Sequence, residues 1–207
     1  MMTKDEQTIC SICEIQLPYA EFYKVKDNPL EKRFWGRVEI QRAGALLFFE
    51  KGSKIQHLIQ LLKYQGREDV GEKIAELFAR KLPEDSPFRK VDIIIPIPLH
   101  HKKKKIRGYN QCDTFTKVLG EKLAIKTSFE VLERIHANVT QTGKSKIDRW
   151  ENVAQIFKVV KPDLLKNKHI LLVDDVVTTG ATLEACALEI LKIENTKVSI
   201  LTMACAI

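Results

Sequence analysis

Ile170-Leu171-Leu172-Val173-Asp174-Asp175-Val176-Val177-Thr178-Thr179-Gly180-Ala181-Thr182 reads as a buried strand, a turn and the start of a helix. Residues 170–173 are continuously apolar, the mark of a strand covered on both faces in a parallel sheet. Asp174 and Asp175 follow, so two carboxylates stand at its carboxyl end, where both are expected at the mouth of a pocket. A Thr- and Gly-rich turn then opens a helix expected from about residue 180 to residue 192. Backbone N–H groups at a helix start are unpaired and carry partial positive charge, so they suit a phosphate. Gly180 permits close approach of the backbone, and the hydroxyls of Thr178, Thr179 and Thr182 add donors. The carboxylates repel phosphate. They suit the vicinal hydroxyls of a sugar, or a hydrated Mg²⁺. An ordinary helix with an acidic N-cap accounts for either Asp alone. Both together, with three threonines and a glycine at this spacing, favour a phosphosugar site.

A second strand is expected over residues 91–97, a β-branched run leading into a basic loop over residues 99–111. Ligands of open parallel sheets bind beyond the carboxyl ends of the strands. If the two strands are parallel neighbours, the basic loop and the acidic turn share one edge. His100-His101-Lys102-Lys103-Lys104-Lys105-Ile106-Arg107 then faces the carboxylates, which suits a ligand with a sugar phosphate at one end and a diphosphate at the other. A lysine run elsewhere in a sequence reads as a solvated surface.

Further out, apolar residues recur at helical spacing over 55–62, ending at Gly66, and again over 70–82 and 115–123. Short strands are expected over 129–132, 156–160 and 198–203, and a β-hairpin from 38–40 and 45–49. Strands alternating with helices imply an α/β domain, a parallel sheet with helices on both faces, over residues 36–207. Residues 1–35 are irregular and form a small N-terminal appendage carrying Cys10 and Cys13.

Composition agrees with a soluble globular protein of 207 residues, 44% hydrophobic and 29% charged. No apolar run approaches the ~18–20 residues of a membrane span, and the start carries no apolar stretch of the secretory kind, so a cytoplasmic location is expected. The net charge of +7 favours polyanionic ligands. Five cysteines, only two of them closely spaced, do not make an extracellular disulfide framework. Cys112, Cys186 and Cys205 sit in apolar segments, as small hydrophobes do.

Residues 170–182 resemble the signature of type I phosphoribosyltransferases. Leu62-Lys63-Tyr64-Gln65-Gly66, Pro96-Ile97-Pro98 with Arg107-Gly108-Tyr109-Asn110-Gln111, and the series Arg134, Thr140-Gln141, Arg149, Asn152-Val153 and Phe157 extend the likeness. Together they resemble the ComF/GntX family, type I phosphoribosyltransferase-like proteins associated with competence for DNA uptake. The resemblance implies a ligand, phosphoribosyl diphosphate (PRPP) with Mg²⁺, and displacement of diphosphate at an anomeric carbon through an oxocarbenium-like transition state. It assigns catalytic roles to Asp174, Asp175 and Arg107. PRPP binding falls to Asp174, Asp175, Val176, Val177, Thr178, Thr179, Gly180, Ala181 and Thr182, with Lys102, Arg107 and Gly108 from the basic loop. A flexible segment over 137–148 is implied to close on the site, with Thr140, Gln141 and Lys144 in it and Arg149 at its end. The acceptor is unidentified, and its pocket is expected from residues before about Leu82. The other implied role is non-enzymatic: binding of single-stranded DNA, or of helicase and recombination proteins of the DNA-uptake machinery. Family members begin with two Cys-x-x-Cys pairs that bind zinc. Here only Cys10 and Cys13 match, so a Zn²⁺ site is incomplete. Three alternatives stay open: a sequence lacking its first pair, a decayed site, or ligands shared by two chains.

Overall fold

The computed structural model describes residues 8–135 and 156–206. Its centre is a five-stranded sheet in the order β1-β7-β6-β2-β3, every pairing parallel. The strands are β1 (Ala43–Phe49), β2 (Ile93–Pro96), β3 (Lys126–Thr127), β6 (His169–Val177) and β7 (Lys197–Ala206). A separate antiparallel pair joins β4 (Leu132–Arg134) to β5 (Phe157–Val159). The helices are α1 (Ser11–Ile15), α2 (Pro29–Lys32), α3 (Lys54–Tyr64), α4 (Glu68–Lys81), α5 (His101–Arg107), α6 (Gln111–Leu123) and α7 (Ala181–Ile190).

Strand periodicity sorts the central residues into two cores, because successive side chains point to opposite faces. Leu171, Val173 and Ile94 meet Ile55, Ile59, Phe78 and Phe115 of α3, α4 and α6 on one face. Ile170, Leu172, Ile93 and Ile95 meet Leu183, Cys186 and Ile190 of α7 on the other. Burying each of these aliphatic or aromatic side chains stabilises the fold by about 1.5–3 kcal/mol. The expected parallel sheet with helices on both faces is therefore present. Residues of the N-terminal segment pack into both cores: Ile9, Leu17 and Tyr23 on the first face, Leu30 and Phe34 on the second.

Four local expectations need correction. The hairpin over 38–40 and 45–49 does not form; β1 instead lies parallel to β7, and residues 38–40 have no strand pairing. A strand buried on both faces takes its partner from wherever the sheet supplies one, and here that partner is the last strand. The basic loop is a helix, α5. His100 caps it by accepting from Lys102 N–H, and Gly108, at φ +86°, closes its carboxyl end. β6 runs on to Val177, so Asp174 and Asp175 lie within the strand, Asp174 in register with Thr202. The strand expected over 129–132 begins at Leu132 and pairs outside the main sheet.

Candidate functional site

β2 and β6 are parallel neighbours with Pro96 opposite Val173, so the segments leaving them share one sheet edge, as expected. Asp174 is half-buried there. Its Oδ1 accepts from the Asp175 backbone N–H at 2.9 Å, and the Cys112 thiol of α6 lies 3.7 Å away. Asp175 is buried, not at a pocket mouth. Its Oδ1 accepts from Val176 N–H at 2.6 Å and pairs with Lys63 Nζ of α3 at 2.9 Å. Its Oδ2 is buried without a hydrogen-bond partner. Burial, and then repulsion from Asp175, pushes the Asp174 carboxyl up to about 7. Neither aspartate caps α7; the N-cap is Gly180, with no side-chain cap. The capping alternative is thereby removed.

Thr178 and Thr179 form the exposed turn after β6, Thr182 is half-buried in the first turn of α7, and Ala181 is exposed. Gly180 has φ +81°, a left-handed conformation that glycine takes at little cost. A Cβ there would lie 3.0 Å from Cε1 of Phe34. Thr179 Oγ1 accepts from Ala181 N–H at 3.4 Å, a local bond across the turn.

The turn is gripped from α2. Asn28 caps that helix by accepting from Leu30 and Glu31 N–H, and Pro29 pre-sets its first residue. The Asn28 amide also donates to Ala43 carbonyl at 2.9 Å, fastening α2 to β1. Held there, Arg33 donates to the Thr178 carbonyl at 2.6 Å and Arg37 to the Thr179 carbonyl at 3.1 Å; Arg37 also pairs with Glu184 of α7. Both carbonyls of the turn are thereby engaged by arginine side chains.

In the basic segment, Lys102 on α5 and Gly108 at its end are exposed, and Arg107 is half-buried, bonded to Gln111 and 5.3 Å over the Tyr64 ring. Lys63, Tyr64, Lys103, Ile106 and Arg107 line a cavity of about 300 Å³. Lys63 thus shares this cavity with Arg107 and pairs with Asp175, linking the basic helix to the carboxylates. A larger cavity, about 770 Å³, lies between α5 and the β4–β5 pair, lined by Pro98, His101, Lys104, Asp113, Arg134 and Lys161 among others. It draws on no residue before Pro96. Thr140, Gln141, Lys144 and Arg149 lie outside the described residues.

Cys10 and Cys13 stand together at the start of α1. Among the described residues no third His, Cys, Asp or Glu joins them, so a tetrahedral zinc there needs ligands from elsewhere. Sequence reasoning gave no role to Lys63, Arg33, Phe34, Arg37 or Cys112. Lys63 was visible inside the Leu62–Gly66 motif; the others had no local signal.

The phosphoribosyl transferase domain family matches residues 115–206. Competence protein F of Haemophilus influenzae is 33% identical over 130 residues, covering 61% of this chain and 57% of that protein. DNA utilization protein YhgH of Escherichia coli O6:H1 is 29% identical over 133 residues, covering 63% of this chain and 58% of that protein. The chain therefore spans less than two thirds of the length of these curated relatives. Among solved structures, that of the allosteric regulatory enzyme of purine biosynthesis is similar at a TM-score of 0.48 and 14% identity, covering 70% of this chain and 30% of that one.

Proposed function

Because the chain is a ComF-family protein on the type I phosphoribosyltransferase-like fold, we propose that it binds phosphoribosyl diphosphate with Mg²⁺ at residues 174–182 and transfers the phosphoribosyl group to an acceptor not yet identified. The observation that carries this reading is the placement of Asp174 and Asp175 directly before a glycine-started helix, one strand away from the basic α5. The first N–H groups of α7, with the Thr179 and Thr182 hydroxyls beside them, hold the ligand's phosphate. Asp174, half-buried at the sheet edge, and Asp175 beside it accept from the sugar hydroxyls. This oxygen-rich donor set also fits a hydrated Mg²⁺. When bound, Mg²⁺ supplies charge neutralisation at the diphosphate. Arg107, with Lys102 on the same helix, stabilises charge that grows on the departing diphosphate. Lys63, paired with Asp175 at 2.9 Å, holds that carboxylate in orientation.

Calorimetric titration of PRPP with and without Mg²⁺, with ribose as control, tests the reading. Saturable, Mg²⁺-dependent binding of PRPP and none of ribose is expected. A folded protein that binds no PRPP at millimolar concentration rules it out.

One observation favours a second role beside this one. α5 buries none of its residues, Ile106 is 88% exposed and Tyr64 is 74% exposed next to Arg107. Cationic side chains around an exposed aromatic suit single-stranded DNA, which is held by backbone charge and base stacking. Helicase or recombination proteins of DNA uptake are alternative partners for the same face. A cytoplasmic location is part of this proposal; no helix among the described residues is long and apolar enough to cross a membrane.

A further inference from the structure

Cys112 lies in the first turn of α6, fully buried, with its Sγ 3.7 Å from Asp174 Oδ1. One ligand atom from each of Cys112, Asp174 and Asp175 lies within 4.8 Å of the other two. Asp175 is only 4% exposed, yet its Oδ2 has no hydrogen-bond partner. A buried carboxylate oxygen left unpaired marks a place for a ligand, because its desolvation is otherwise uncompensated. A tetrahedral zinc with a Zn–S bond of about 2.3 Å and Zn–O bonds of about 2.1 Å sets its sulfur and oxygen ligands about 3.6 Å apart. The Cys112–Asp174 separation, 3.7 Å, is close to that value.

We propose that Cys112, Asp174 and Asp175 form a three-ligand site, open at its fourth position, for a thiophilic divalent cation of the zinc class. This is not the Mg²⁺ of the PRPP reading: Mg²⁺ demands near-octahedral oxygen coordination and does not take a thiolate. Charge also balances. One thiolate and two carboxylates carry three negative charges; the cation offsets two, and Lys63, 2.9 Å from Asp175, offsets the third. On binding, a metal–sulfur bond forms and the thiol proton leaves to solvent. The site stands without the PRPP reading. Only one consequence draws on it: a zinc ion here occupies the oxygens assigned to the sugar hydroxyls, so zinc and PRPP exclude each other.

The test uses the full chain carrying Cys10→Ser and Cys13→Ser, which removes the competing thiol pair. Titration with Co²⁺ alone should give a thiolate-to-cobalt charge-transfer absorption saturating at about one equivalent, bleached by Zn²⁺. Adding Cys112→Ser should abolish the band and weaken Zn²⁺ binding by more than about a hundredfold, beyond the range seen for outer-shell partners. X-ray absorption of the zinc-loaded Cys10→Ser/Cys13→Ser protein should count one sulfur among oxygens, and needs no change at Cys112. No charge-transfer band, a band that survives Cys112→Ser in folded protein, or a shell with no sulfur or several overturns the proposal. None of these readouts contains PRPP, so failure here leaves the PRPP titration to be judged separately.

Discussion

Lys63 of α3 reaches across the sheet edge to Asp175 of β6, its Nζ 2.9 Å from a carboxylate that is almost wholly buried. The pair therefore has two tasks: it holds the site in shape, and it gives a buried acidic side chain a partner.

Lys63→Gln should separate these tasks. It leaves a buried carboxylate without its cation, and breaking such a pair costs about 3 kcal/mol. Urea denaturation should show that loss. Asp175→Asn should also destabilise, by stranding Lys63, whereas Asp174→Asn should be better tolerated. Equal stability of all three variants would mean that the pair does not form in solution.

The raised Asp174 carboxyl predicts a pH effect. Its value of about 7 in the folded protein stands above the ordinary 3.8, so the folded state binds a proton that the unfolded chain releases. The stability this gives is full below about pH 4 and is lost as pH rises through about 7. The stability of wild type relative to Asp174→Asn should fall across that window. PRPP affinity should move the other way, rising from about pH 6 to about pH 8 as the carboxylate forms. Calorimetry at both ends checks it; a flat profile contradicts a ligand contact at Asp174.

Gly180→Ala should harm both fold and site. The left-handed φ costs a non-glycine residue about 1–2 kcal/mol, and the new Cβ meets the Phe34 ring. Phe34→Leu in the same chain gives the methyl room but leaves the φ penalty, so thermal melting should recover only in part. Full recovery would show that the φ at 180 is not strained.

Thr179→Val removes a hydroxyl from the phosphate end at nearly constant volume. A lost hydrogen bond to a charged group is worth ~1.5–3 kcal/mol, so PRPP should bind roughly ten- to a hundredfold more weakly. Circular dichroism must show the fold intact, since the hydroxyl also bonds Ala181 N–H.

Replacing Lys102, Lys103, Lys104 and Lys105 by Gln should weaken single-stranded DNA binding and flatten its dependence on salt by a slope of about 2–3. Fluorescence anisotropy at several salt concentrations reads the slope. An unchanged slope moves the DNA, if bound, to another face.

How legible this protein is depends on whether a feature is local. Residues 170–182 announce themselves because an apolar run, two acids and a glycine turn are contiguous, and the structure keeps them as β6, turn and α7. α5 escaped because it buries no residue and so has no apolar face to read; only His100 and Gly108 mark its ends. The hairpin error has the same root: residues 43–49 look like half of a local pair, while their partner is β7. Lys63, Cys112, Arg33 and Arg37 act on the site across the sheet or from α2. No spacing in a single sequence encodes such contacts.

The pairing of β1 with β7 also has a consequence for biogenesis. Ala43 meets Ile200, so the first strand made waits roughly 150 residues for its neighbour, and loop closure over such a span is entropically costly. On the ribosome, β2 and β3 can meet early, but β1, bridged at Leu47 to Tyr19 along one edge, lacks its sheet neighbour on the other until β7 emerges. An unpaired apolar edge of this kind is a sticking point for other chains. The nascent protein is therefore most vulnerable to aggregation in the interval before β7 is available, and a chaperone that shields residues 43–49 during that interval should raise its yield.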